Sequence, residues 1–284
     1  MKHTHILFLA FATVVFACED KEINWKVDHV EQMLVVEGRF TDELKKHQLT
    51  LTLSENYFVN RHTTRVTDAN VSITDGTNTY NYTETTTPGI YETLDSVAGI
   101  VGINYTLNIE LNKPINGTNH YYCSSIMRPT IKIDSMNSYI FRNPMPTGDS
   151  LMLLIEVFGQ EKSPKGDYYA SEIYINNRQI NDTIDKQQVY NDETNGLEGN
   201  NVNYFFFFCN QVKPGDATRF SLLSVNRAYS DFVTAISQIA KYDDPMGFSG
   251  PPANAIGNIQ GGKALGYFMI SAISTGVCIA QDER

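Results

Sequence analysis

Short runs of alternating apolar and polar residues, closed by turn-forming residues, most limit the folds open to this chain of 284 residues. Gln48–Ser54 (QLTLTLS) sets Leu against Thr and Gln, the pattern of an antiparallel strand with one face buried and one wet. Met33–Arg39, Ala69–Thr74, Thr79–Thr83, Gly89–Leu94, Asn104–Leu111 and His120–Ile126 continue it, with Asp75-Gly76 as a hairpin turn. Strands this short and this regularly spaced predict an immunoglobulin-like or transthyretin-like β-sandwich over residues 31–127.

Arg128-Pro129 interrupts the pattern and marks a boundary. A second β domain, sandwich or barrel-like, is expected over residues 128–284. Its strands fall at Ile131–Phe141, Ser150–Gly159, Asp167–Asn176, Val202–Asn210 and Thr218–Val225. The polar stretch from about 177 to 201 reads as a long loop with a short strand at Gln187–Tyr190. One segment departs from the period of two. In Asn226–Tyr242, the residues Tyr229, Phe232, Val233, Ile236, Ile239 and Ala240 fall on one face of an amphipathic helix. The helix is expected over 227–242, capped by Asn226 and stopped by Asp243-Asp244-Pro245. A loop with Gly247, Gly250, Pro251 and Pro252 follows. One last strand, Ala264–Ser274, is expected to pair centrally or along a closed sheet. The fold class is therefore mainly β with one helix near the C-terminus.

The N-terminus carries a signal of another kind. Lys2 precedes an apolar run, Ile6–Phe16, that is too short to span a bilayer. Val15-Phe16-Ala17-Cys18 resembles a bacterial lipobox. On that resemblance residues 1–17 are a signal peptide, Cys18 is lipidated, and 18–30 form an acidic tether. Glu19, Asp20, Lys21 and Glu22 resemble the surface-export signal of Bacteroidota lipoproteins. The expected location is the outer membrane, lipid-anchored and exposed at the cell surface; ordinary secretion with an unmodified Cys18 is the alternative. Stable anchoring takes more than one acyl chain.

Composition narrows the partners. Hydrophobic residues make 42% and charged residues 19%, enough for a packed core. The net charge is −10 and Lys and Arg do not cluster, which argues against nucleic acid. An anionic membrane surface would repel the chain, leaving the lipid as its attachment. Cys123, Cys209 and Cys278 form no CxxC pair and no zinc-ligand spacing. They read as buried small hydrophobes, with one disulfide among them left open.

A search for catalytic spacing finds none. His29, His47, His62 and His120 are scattered, and no GxSxG elbow, P-loop or GxGxxG occurs. Asp182, Asp185, Asp192 and Glu193 offer oxygen donors, but their spacing does not match a calcium loop. No catalytic residue, metal or cofactor is expected. Aromatic residues are the remaining signal: 16 Tyr and 15 Phe against a single Trp. In the run 204–208, alternation sends Phe205 and Phe207 one way and Tyr204, Phe206 and Phe208 the other. Either both faces are buried, or one docks a partner or ligand. The candidate contact residues are Tyr204, Phe206, Phe208, Tyr229, Phe232, Met246 and Phe248.

Together these pieces make a recognisable order. A lipobox cysteine is followed by Val35-Val36-Glu37-Gly38, then by the strand-turn Ala69–Gly76, then by Ala228-Tyr229-Ser230-Asp231-Phe232. A Pro-rich loop comes next, and the chain closes on Asn258-Ile259, Gly261-Gly262 and Leu265-Gly266-Tyr267-Phe268. The order resembles a family of Bacteroidota surface lipoproteins built on a domain of unknown function, commonly encoded beside TonB-dependent outer-membrane receptors. The step from Gly261 to Phe268 is longer here than that family's usual Gly-Leu-Gly-x-Phe. The resemblance implies a non-enzymatic accessory of a TonB-dependent nutrient receptor, binding substrate or gating its entry. It carries over no catalytic residue. A surface hydrolase acting on glycan or peptide, or a structural or adhesive surface protein, stands as the alternative.

Overall fold

The computed structural model describes residues 31–55, 63–143, 150–160, 165–195, 197, 199–209, 211–241 and 254–282. The alternating runs form strands: β1 (Leu34–Thr41), β2 (Gln48–Leu53), β3 (Asn70–Thr74), β4 (Thr79–Glu84), β5 (Ile90–Thr93), β6 (Asn104–Ile115) and β7 (Thr118–Ile126). They are followed by β8 (Ser135–Asn143), β9 (Ser150–Phe158), β10 (Tyr168–Ile175), β11 (Arg178–Gln179), β12 (Gln188–Asn191), β13 (Val202–Phe208) and β14 (Ala217–Val225). The helix Arg227–Ala240 comes next, and β15 (Ala264–Ser271) and β16 (Ile273–Asp282) close the chain. The protein is mainly β, with two sheets and one helix longer than a turn among the described residues.

The first sheet runs β15-β1-β2-β5-β4-β3-β6-β7. One face of each strand turns inward: Leu34, Val36 and Phe40 of β1, Leu49 and Leu51 of β2, Leu107 and Ile109 of β6. The sheet curls until its ends meet. Tyr122 on β7 and Gln260, ahead of β15, exchange two backbone hydrogen bonds of 3.0 and 2.8 Å. This single bridge brings the two end strands close to the closure of a barrel.

The second sheet runs β11-β10-β14-β16-β8-β9-β13, with β12 also on β10. Its core packs Leu153, Ile155 and Val157 of β9 with Phe205 and Phe207 of β13 and Phe220 and Leu222 of β14. The rings of Phe205 and Phe220 lie 4.7 Å apart.

The last apolar run departs from expectation. It is two strands rather than one. β15 lies parallel to β1 at the end of the first sheet, while β16 lies between β14 and β8 in the second. The switch falls at Ala272. Its N–H donates to Ser224 Oγ (3.0 Å), and its carbonyl accepts from the Ser224 N–H (3.0 Å). The next N–H, of Ile273, donates to Asp42 Oδ1 (2.9 Å). Ser224 of β14 and Asp42, just past the end of β1, together satisfy the backbone there, and an uninterrupted apolar sequence conceals the break.

The polar stretch after β10 is also more ordered than a loop. Asn176 and Asn177 both take positive φ (49° and 66°), the geometry of a two-residue hairpin turn between β10 and β11. A 3-10 turn (Ile184–Lys186), β12 and a helical turn (Asp192–Asn195) follow.

Candidate functional site

The helix is set by its cap. Asn226 accepts the Tyr229 N–H at 2.8 Å through its side chain, while the Tyr267 hydroxyl donates to the same Asn226 oxygen at 2.7 Å. One side chain thus fixes the helix start against β15. The helix buries Tyr229, Phe232 and Val233 in a third apolar cluster with Leu223 and Val225 of β14 and Tyr267 and Met269 of β15. This cluster lies where the two sheets meet.

Beside it is a cavity of about 600 Å³. The helix supplies one wall with Tyr229, Phe232, Ile236 and Ile239. The outward side chains of β1 (Val35, Glu37, Arg39) and of β15 (Leu265, Tyr267, Met269) supply the other, and Ile184 and Gln187 close one side. Three rings form its aromatic surface: Tyr229 stands edge-on to Tyr267 at 4.9 Å, and Phe232 lies 5.3 Å from Tyr267. The tyrosine hydroxyls are both engaged in hydrogen bonds. Tyr229 donates to Gln187 Oε1, and Tyr267 to Asn226. Burial pushes both phenols up, Tyr267 to about 12, so both stay neutral at physiological pH. The volume and the mainly apolar lining with a few polar groups are those of a small-molecule site.

Arg39 supplies the charge. Its guanidinium pairs with Glu172 of β10, whose side chain is 7% exposed against 34% for Arg39. Burial lowers the Arg39 pKa, but the Glu172 carboxylate more than offsets this and the guanidinium is held above its usual value. Glu172 also accepts the Tyr174 hydroxyl at 3.0 Å, and Arg219 stacks over the Tyr174 ring at 3.8 Å. One buried carboxylate thus holds the Arg39 guanidinium and the Tyr174 hydroxyl, and Arg219 lies against the Tyr174 ring.

The expected contact residues fall in two places. Tyr229 and Phe232 are together in the cavity wall, 5% and 7% exposed. Tyr204, Phe206 and Phe208 share the outer face of β13, 52%, 50% and 70% exposed, while Phe205 and Phe207 fill the core. The alternation therefore exposes one aromatic face. β13 ends its sheet, pairing with β9 alone among the described residues. Met246, Phe248, Cys18, Glu19, Asp20, Lys21 and Glu22 lie outside the described residues.

Arg39, Glu172 and Tyr267 were missed as site residues. The available signal was Glu172 itself, a carboxylate inside the otherwise strand-like run Tyr168–Ile175. A charge in such a run needs a partner.

Several groups able to do acid–base or nucleophilic work are, among the described residues, engaged in structural contacts or buried. His47 donates from Nε2 to the Val97 carbonyl (2.9 Å) and accepts the Thr41 N–H at Nδ1 (3.4 Å). Burial pushes the Cys123 thiol up to about 12. Cys123, Cys209 and Cys278 are free thiols. In the acidic stretch, Asp182 pairs with Lys186 (2.9 Å). Asp192 accepts the Gly166 and Asp167 N–H groups at 3.0–3.1 Å. Among the described residues no three potential metal ligands come together.

Among curated proteins none matches the chain. A solved structure titled "Biofilm associated protein - BSP domain" aligns at 9% identity and a TM-score of 0.21, over 70% of this chain and 58% of that one. The chain thus spans less than two thirds of that structure's length. A family model, Domain of unknown function (DUF4249), matches residues 20–276, nearly the whole of both sheets, and the chain belongs to that family.

Proposed function

We propose that this protein is a lipid-anchored surface protein of the outer membrane in a Bacteroidota cell, and that it works without catalysis as the accessory of a TonB-dependent nutrient receptor. It holds a small cargo molecule and docks against the receptor. The observation that carries the reading is the cavity between the helix and the outer face of β1 and β15, walled by Tyr229, Phe232 and Tyr267. The aromatic face of β13 is the surface assigned to the receptor. Three half- to well-exposed aromatics on one strand concentrate the kind of side chain that dominates protein interfaces. The lipobox-like Val15–Cys18 and the acidic residues behind it support the location.

The test is a gentle-detergent pull-down of the tagged protein from native outer membranes, read by mass spectrometry. A TonB-dependent receptor recovered in near-equal amount, and lost in a Phe206→Ser variant, supports the reading. Recovery of the protein alone overturns it. Acyl labelling that persists after Cys18→Ser would refute the anchor.

A further inference from the structure

The cavity's lining restricts what it can hold. Its surface toward the helix is apolar: Phe232, Ile236 and Ile239 face Leu265, Tyr267 and Met269. Both tyrosines spend their hydroxyls on Gln187 and Asn226, so they offer rings rather than donors. The charge at the site is uneven. Arg39 lines the cavity and is one third exposed, whereas its partner Glu172 is buried behind it. Arg219, stacked on Tyr174, adds a second positive charge to that cluster and carries a buried Nε with no partner. Among the described residues that line the cavity Arg39 is the one cation, inside a chain whose net charge is −10. Arg39 has several donors on a planar fork, and its bond to Glu172 uses Nη1. Glu37 also lines the cavity, but it is exposed, and water screens its repulsion of an anion.

We propose that the cavity binds an amphiphile with an apolar body and one anionic head of the carboxylate class, the body against Tyr229, Phe232 and Tyr267 and the head on Arg39. This deepens the cargo-binding reading and rests on it. A guanidinium already held by a buried carboxylate is pre-organised, so a second anion finds its donors in place.

The experiment uses the chain carrying Cys18→Ser, which removes the lipobox thiol and permits work without detergent. The neutral dye 1-N-phenylnaphthylamine is bound first, then displaced by dodecanoate or by dodecanol. A purely apolar site favours the alcohol, because the carboxylate must be stripped of water. The proposal expects the reverse, dodecanoate displacing the dye at about tenfold lower concentration, as befits a hydrogen bond to a charged group. The double variant Arg39→Met with Glu172→Gln, which strands neither charge, should bind the dye as before and lose the preference. If the dye binds but dodecanol displaces it as well or better, the anionic head is overturned and the cavity reading survives. If the dye does not bind, both fall.

Discussion

Single side chains fix the backbone where the sheets demand it. Gly266 sits opposite Val36 in the parallel pair β1–β15 with φ of +85°, and a Cβ there would stand 2.1 Å from the Val36 carbonyl oxygen. Asn258 holds the preceding loop to the same strand, donating to the Phe268 carbonyl (2.8 Å) and accepting the Phe268 N–H (3.0 Å). The motif that makes the chain's end recognisable is therefore structural, and its residues were legible in the sequence although their partners were not. His47 shows the cost of burying a titratable group. Burial lowers its pKa, more than the hydrogen bond to Val97 raises it, and Lys45 lowers it further. Between the folded pKa and the usual value near 6.5 the unfolded chain binds the extra proton. The stabilising contribution of neutral His47 is thus complete above pH 6.5 and declines as pH falls below it. Urea midpoints measured across pH 5 to 7.5 should fall on the acid side less steeply in His47→Gln than in the parent. Equal slopes would mean that other groups carry the acid loss.

At the scale of elements, period alone located most of the strands and the helix. The helix face was legible because Tyr229, Phe232 and Ile236 recur at the helical spacing, and the structure buries or half-buries all three. Ala240, on the same predicted face, is exposed because the helix ends there. The outer aromatics of β13 were legible as a face, but not as an exposed one. Alternation says which residues share a side, and only the neighbouring strands decide which side is covered. The cavity was half legible. Tyr229 and Phe232 came from the helix pattern, but Arg39 and Glu172 are 133 residues apart, and no local signal pairs them. Asn226 ties the helix to β15, so its loss should be felt at both. Asn226→Ala removes the acceptor of the Tyr229 N–H and of the Tyr267 hydroxyl. It should lower stability by about 1–2 kcal/mol, the upper range for a helix cap, and weaken dye binding in the cavity. A stability loss with unchanged dye affinity would show that the cap does not position the aromatic wall.

The whole molecule depends on a connection that local pattern cannot reveal. β15 completes the first sheet and β16 the second, with only Ala272 between them. Pairing between β1 and a strand more than two hundred residues later is non-local, and nothing in either strand names the other. Its energetic weight is plain in the core. Phe268, Ile270 and Ala272 are buried with Leu34, Val36 and Phe40. Removing them would open the β1 edge and uncover apolar surface worth about 25 cal/mol per Å². The Arg39–Glu172 pair and the Ser224–Ala272 hydrogen bonds further join the sheets. A fragment ending at residue 127 retains β1–β7 yet lacks β15, so it should show no cooperative thermal transition by circular dichroism. The full chain should unfold in one calorimetric peak, since neither sheet keeps its core when the last two strands leave. A fragment melting near the full chain's temperature would refute this, because it would show that the first sheet sustains itself and that β15 only decorates its edge.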